Sequence, residues 1–157
     1  MWYGPGDVFE MREFGFDGRL LRIVRLDRPA RAVTETDIAA HQQQLTESLA
    51  GDPRAELLRT RMIDGAVYAP YFPAHYELMM DDAGHLWVQD YQPFDAGLAR
   101  VWSVFDPRGR YLGDVEVPAG LYVHHIGADY VIGEWTDDLD VEFIRAYEIQ
   151  KPSTGAN

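Results

Sequence analysis

The feature that most constrains this chain is a pair of four-residue turns that open on aspartate and close on glycine, each set between short apolar-alternating runs. Between Tyr76 and Pro118 the chain reads YELMMDDAGHLWVQDYQPFDAGLARVWSVFDPRGRYLGDVEVP. Leu78 to Met80 enters Asp81-Asp82-Ala83-Gly84, and Leu86-Trp87-Val88 leaves it. Val101 to Phe105 enters Asp106-Pro107-Arg108-Gly109, and Tyr111 to Val117 leaves it. Aspartate supplies a side-chain acceptor for the turn and glycine the positive φ, so each turn reads as a hairpin. The stretch is four strands in sequence order, one antiparallel sheet.

The flanking segments carry pieces of the same pattern. Residues 1–6 read as a loop with an aromatic pair, and residues 8–27 as a hairpin. In it Val8 to Phe14 alternates, Phe16-Asp17-Gly18 turns, and Leu20 to Leu26 returns. Arg22 and Arg25 on the return strand read as an outer strand's charged face toward water. After Pro118, Leu121 to Ile126, Tyr130 to Thr136 and Val141 to Ile149 form a third β segment. Its turns fall at Gly127-Ala128-Asp129 and at Asp137-Asp138-Leu139-Asp140. Residues 151–157 read as a disordered Pro/Ser/Thr/Gly tail.

The period changes at Thr34. Thr34 and Asp37 stand at capping-box spacing, and Ile38, His41, Leu45 and Leu49 repeat every three or four residues. Gly51 closes that helix; Asp52-Pro53 reads as the N-cap and first residue of a second, with Leu57, Leu58 and Met62 facing inward and Asp64-Gly65 ending it. Residues 34–64 are therefore expected to be a helical insertion resting on a sheet edge or rim, with His41 as a half-buried packing residue. The two prolines of Tyr68-Ala69-Pro70-Tyr71-Phe72-Pro73 predict an extended segment.

Charge and composition remove several classes of function. The net charge of -12 disfavours nucleic acid and anionic membrane as partners. The chain has 0 cysteines, which excludes disulfides, thiolate-ligated metals and thiol catalysis. No apolar run reaches the roughly 18 residues of a membrane span, and residues 1–20 are too charged for an export signal.

The β segments repeat. Gly84 and Gly127 mark matching turns, separated by the roughly 40–50 residues of a four-stranded propeller blade. The first hairpin, FEMREFGFDGRLLRIVRLD, aligns with the second half of the middle sheet, VWSVFDPRGRYLGDVEVP. The phrases DDAGHLWVQDY at 81–91, VWSVFDPRGRYLGDVEVP at 101–118 and IGADYVIGEWTDDLDVEFIRAYEI at 126–149 resemble the C-terminal part of bacterial six-bladed β-propeller proteins of the NHL-repeat kind. The opening YGPGDVFEMREFGFDGRLLRIVR resembles an earlier blade of the same group.

The resemblance implies an all-β fold: a partial propeller of about two to three blades, one domain over 1–150, with a hairpin of one blade at 8–27, a complete blade at 74–118 and an incomplete blade at 121–150. Closed propellers have at least four blades, so the expectation is a fragment whose remaining blades lie on a longer chain, or copies that self-associate to complete the ring. The resemblance also implies an exported or periplasmic full-length form.

In such a fold the first strand of each blade lines a central channel. His75, Glu77, Asp90 and His124 are the candidate channel-side ligand residues. Their spacing matches no zinc motif, and Asp81-Asp82 and Asp137-Asp138-Asp140 lack the calcium-loop pattern and read as turn chemistry. No phosphate loop, dinucleotide fingerprint, G-x-S-x-G or H-E-x-x-H occurs. The expected function is a non-catalytic module that offers a surface to a protein or small ligand, with no cofactor and no catalytic residue. The alternative is an enzyme of the lactonase or lyase kind, using a divalent metal held by His124, Glu77 and Asp90.

Overall fold

A computed structural model describes residues 1–92, 98–137 and 139–151. The chain forms three antiparallel sheets. The first orders β1 (Trp2–Tyr3), β2 (Glu10–Phe14) and β3 (Leu20–Arg25) side by side. The second runs β4 (Leu78–Met80), β5 (Leu86–Gln89), β6 (Arg100–Phe105) and β7 (Tyr111–Val117) as a meander. The third runs β8 (Leu121–Ile126), β9 (Tyr130–Thr136) and β10 (Glu142–Glu148) in the same way. The all-β expectation holds at this level. The expected disordered tail lies, after Lys151, outside the described residues.

The sheets stack face to face in sequence order. Phe9, Met11 and Val24 of the first meet Leu86, Val88 and Phe105 of the second. On the opposite face of the second sheet, Trp87, Trp102, Val104 and Val117 meet Leu121, Val123, Ile126 and Val131 of the third. Alternation sends successive residues of β5 into different cores, which is why Leu86-Trp87-Val88-Gln89 is buried throughout.

The turns repeat one chemistry. Asp81 Oδ1 accepts from the N–H groups of Ala83 and His85, Asp106 Oδ1 from Arg108 and Arg110, and Asp137 Oδ1 from Leu139 and Val141. Gly84 and Gly109 close the first two with φ of 81° and 84°. Asp140 takes that left-handed position in the third at φ 58°. The acidic residues at 137 and 140 thus serve the hairpin; Asp138 lies outside the described residues.

Residues 1–6 were expected to be loop, but Trp2 and Tyr3 pair with Glu13 and Arg12 as the edge strand β1. Two residues carry no period, and the pairing comes from the partner strand. Of the charged face expected toward water, Arg25 is largely exposed while pairing with Glu10 at 2.6 Å, whereas Arg22 turns inward to donate to the Pro107 carbonyl.

The insertion holds α1 (Glu35–Ser48), α2 (Ala55–Arg59) and one π-helical turn over Thr60–Asp64. The capping box forms as expected: Thr34 Oγ1 accepts from the Asp37 N–H, and Asp37 accepts from the Thr34 N–H. Asp52 is not the N-cap of the second helix. Its carboxylate accepts from the Arg54 N–H in a local turn, and the helix starts at Ala55. Nor do Leu57 and Met62 face inward; both are exposed. α1 faces the extended stretch 66–73 across a groove, while Leu57 and Met62 stay in water. That stretch is anchored by an isolated bridge, Ala32 to Tyr71, and by the Phe72 N–H donating to the Arg31 carbonyl. No described helix is long and apolar enough to cross a membrane.

Candidate functional site

The site is built where the chain leaves β3. Pro29 has no N–H to continue the ladder, so the chain turns away from the strand just after Arg28. The Arg28 side chain reaches back over the central sheet and touches three neighbouring segments. Its guanidinium donates to Asp90 Oδ2 after β5, to Ser103 Oγ on β6 at 2.8 Å, and to Asp114 Oδ1 on β7 at 2.9 Å. Ser103 Oγ in turn donates to Asp114 Oδ1 at 2.8 Å, and the cation sits 5.1 Å from the centroid of Phe9. Burial works against the charge on Arg28, but Asp90 and Asp114 outweigh it and hold the side chain cationic. Burial pushes the Asp90 carboxyl above its ordinary value, and its Oδ1 is buried with no hydrogen-bond partner among the described residues.

Two grooves open beside this network. The first, about 530 Å³, lies between α1 and the extended segment, with Ile38 and His41 facing Tyr68, Phe72 and Tyr91. His41 Nδ1 lies 3.3 Å from the Tyr68 hydroxyl, and the two rings meet edge-on. The second, about 510 Å³, lies over Phe9, Glu10, Arg28 and Asp90. Phe72, Pro73 and Tyr91 belong to both. The rings of Phe72 and Tyr91 are stacked at 5.7 Å, and the Arg31 guanidinium lies 4.4 Å from the Phe72 centroid. A stacked aromatic pair thus stands between two mostly apolar grooves, the first edged by Asp37 and Glu47 and the second by Arg25, Arg28, Arg31 and Asp90. Volumes of this size suit a small ligand or a peptide side chain.

The four candidate residues do not converge. Asp90 belongs to the second groove. His75 sits behind Gly4, where a side chain at that glycine would collide with its ring, and neither ring nitrogen has a partner among the described residues. Burial holds its pKa below the ordinary 6.5. Glu77 shares the strand face of Met79, toward the third sheet, by alternation with Leu78, which packs toward the first. Burial raises its carboxyl, while Arg100 and His124 nearby pull it down. His124 stands at the β-bulge of β8, its Nε2 3.8 Å from Glu134. The central sheet therefore separates Asp90 and His75 from Glu77 and His124.

Among the described residues no three of His, Asp or Glu gather as a metal site, so His124, Glu77 and Asp90 do not form the trio considered above. Ser103 lies between a guanidinium and a carboxylate, accepting from Arg28 and donating to Asp114, so its hydroxyl links the two charges of the network. Neither periodicity nor turn chemistry marks Arg28, Asp114, Phe72 or Tyr91 as a site residue. Ser103 and Asp114, polar residues on β6 and β7, were the available signal. No protein-family model, no curated protein and no solved structure matches the chain.

Proposed function

We propose that the chain is a non-catalytic binding module of propeller blades that presents the groove pair to a small ligand or a protein segment. The observation that carries this reading is the pair of adjoining grooves divided by the Phe72–Tyr91 stack and set on a rigid, doubly buried sheet. The charged groups beside them are already engaged with one another, Arg28 with Asp90, Ser103 and Asp114, and Glu10 with Arg12 and Arg25. Such groups orient a ligand and hold a wall in place; they do not carry out proton transfer.

The propeller element of the proposal draws support from the stacking order. Strands β5, β6 and β7 of the central sheet correspond to β1, β2 and β3, and strands β4, β5 and β6 to β8, β9 and β10. Each sheet is then one blade in a different state of completion, and further blades, from a longer chain or from other copies, would complete the ring.

The test is an NMR titration of the whole chain with p-cresol as an aromatic probe. Shifts clustered at residues 38–41, 68–73 and 91, and lost in Tyr91→Ala, support the reading. Shifts spread over the surface, or none, sink it.

A further inference from the structure

Both ends of the three-sheet stack present a bare sheet face, and the two faces match. On the outer face of the first sheet, Tyr3, Arg12 and Ile23 stand in one row across β1, β2 and β3. On the outer face of the third, Tyr122, Glu134 and Ile144 stand in one row across β8, β9 and β10. Each row carries an exposed tyrosine and an exposed isoleucine on its outer strands, with a charge in the middle. The charges are opposite. Arg12 and Glu134 keep 43% and 38% of their side chains open to solvent, so each retains bonding capacity beyond its contacts with Glu10 and His124.

The surroundings follow the same signs. Arg25 joins Arg12 on the first face and is itself largely exposed, each of them paired with the same Glu10 carboxylate. On the third face Glu142 and Glu148 share the alternation of Ile144. Arg145 alternates to the inner side, where its guanidinium lies 3.5 Å from the Trp135 centroid.

We infer that copies of this chain associate head to tail, the outer face of the first sheet of one copy stacking on the outer face of the third sheet of the next. The contact would continue the packing already made twice inside the chain, sheet face on sheet face with polar groups at the side. Charge selects the arrangement. Two first-sheet faces would set Arg12 against Arg12, and two third-sheet faces would set Glu134 against Glu134, so each like-with-like pairing is opposed. Unlike faces make a heterologous contact, which propagates until the rotation between copies closes a ring. The inference rests on the stacked-blade reading only in taking the outer faces as packing surfaces; the rows Tyr3–Arg12–Ile23 and Tyr122–Glu134–Ile144 themselves line neither groove.

The experiment is sedimentation velocity and native mass spectrometry of the whole chain over a concentration series. The wild type should form concentration-dependent oligomers larger than dimers. Ile23→Glu and Ile144→Lys each place a charge on an exposed position of one face, and near-ultraviolet circular dichroism should show both folded. Each alone should weaken association at least about tenfold, the scale of a central interface residue. Arg12→Glu and Glu134→Arg should each weaken association, and the double variant Arg12→Glu/Glu134→Arg should restore it. A wild type that stays monomeric to roughly 1 mM, the weak end of the affinity scale, overturns the inference. So does dissociation by only one of the two isoleucine variants, which would mark a like-with-like dimer. Either result leaves the p-cresol test of the grooves intact.

Discussion

The β stack and the helical insertion are held by different forces. In the stack, side chains from sheets distant in sequence close two cores, and Met11, Val88, Trp102, Phe105 and Leu121 are at most 1% exposed. In the insertion no helical residue is buried. What holds α1 is local: the Thr34–Asp37 box, a Gln43–Glu47 hydrogen bond, and one face leaning on Tyr68 and the extended segment. An isolated helix of this length is marginal in water. The insertion is therefore the low-stability part of the molecule, and it forms one wall of the apolar groove. A wall that opens more readily than its base lets a groove admit a ligand without unfolding the rest.

The comparison can be broken or sharpened by mutation. The largest loss should come from the central sheet: Trp102→Ala or Phe105→Ala is expected to cost about 3–5 kcal/mol, read by urea denaturation, through lost transfer energy plus a cavity in the core against the third sheet or the first, respectively. Next is Arg28→Ala. Removing the cation leaves Asp90 and Asp114 facing each other over Ser103, and a loss of about 2–3 kcal/mol is expected, below the cost in a fully buried pair because these groups keep some solvent contact. A loss near zero would mean that the network serves the groove and not the fold.

Thr34→Ala removes one half of the capping box, at a cost of about 1 kcal/mol. Hydrogen exchange should show that cost confined to α1, with β5 and β6 amides unchanged; protection lost equally in both would show the two regions to be one cooperative unit. His75 provides a smaller, pH-dependent term. Its folded pKa is depressed, so its contribution is present above the ordinary 6.5 and is lost as pH falls through the lower folded value. The melting midpoint should drop from pH 7 toward pH 5, and His75→Gln should flatten that part of the profile. Smallest of all, Leu57→Ser should change stability by less than about 0.5 kcal/mol, since the side chain is already in water.

Much of the stack was legible because hairpins are local. Asp81, Asp106 and Asp137 bond to N–H groups two and four residues on, so turn chemistry alone joins β4 to β5, β6 to β7 and β9 to β10. The capping box at Thr34 is local in the same way. The short strand β1 was not legible, because Trp2 and Tyr3 carry no period of their own. Leu57 and Met62 were misplaced because helical spacing says which residues share a face, not whether anything covers it. Of the candidate site, Asp90 alone belongs to the grooves; His75, Glu77 and His124 were chosen by strand position, and the central sheet divides them.

Strand order, turn positions and the helical interruption were thus written in the chain, since each depends on residues within a few positions of one another. The stacking of the sheets, the Arg28 network and the groove pair were decided by tertiary structure alone. Arg28 meets its partners 62, 75 and 86 residues away, and the Phe72–Tyr91 stack forms only when the extended segment docks beside the end of β5. Periodicity records which face of a strand is apolar; it does not record which other face will cover it.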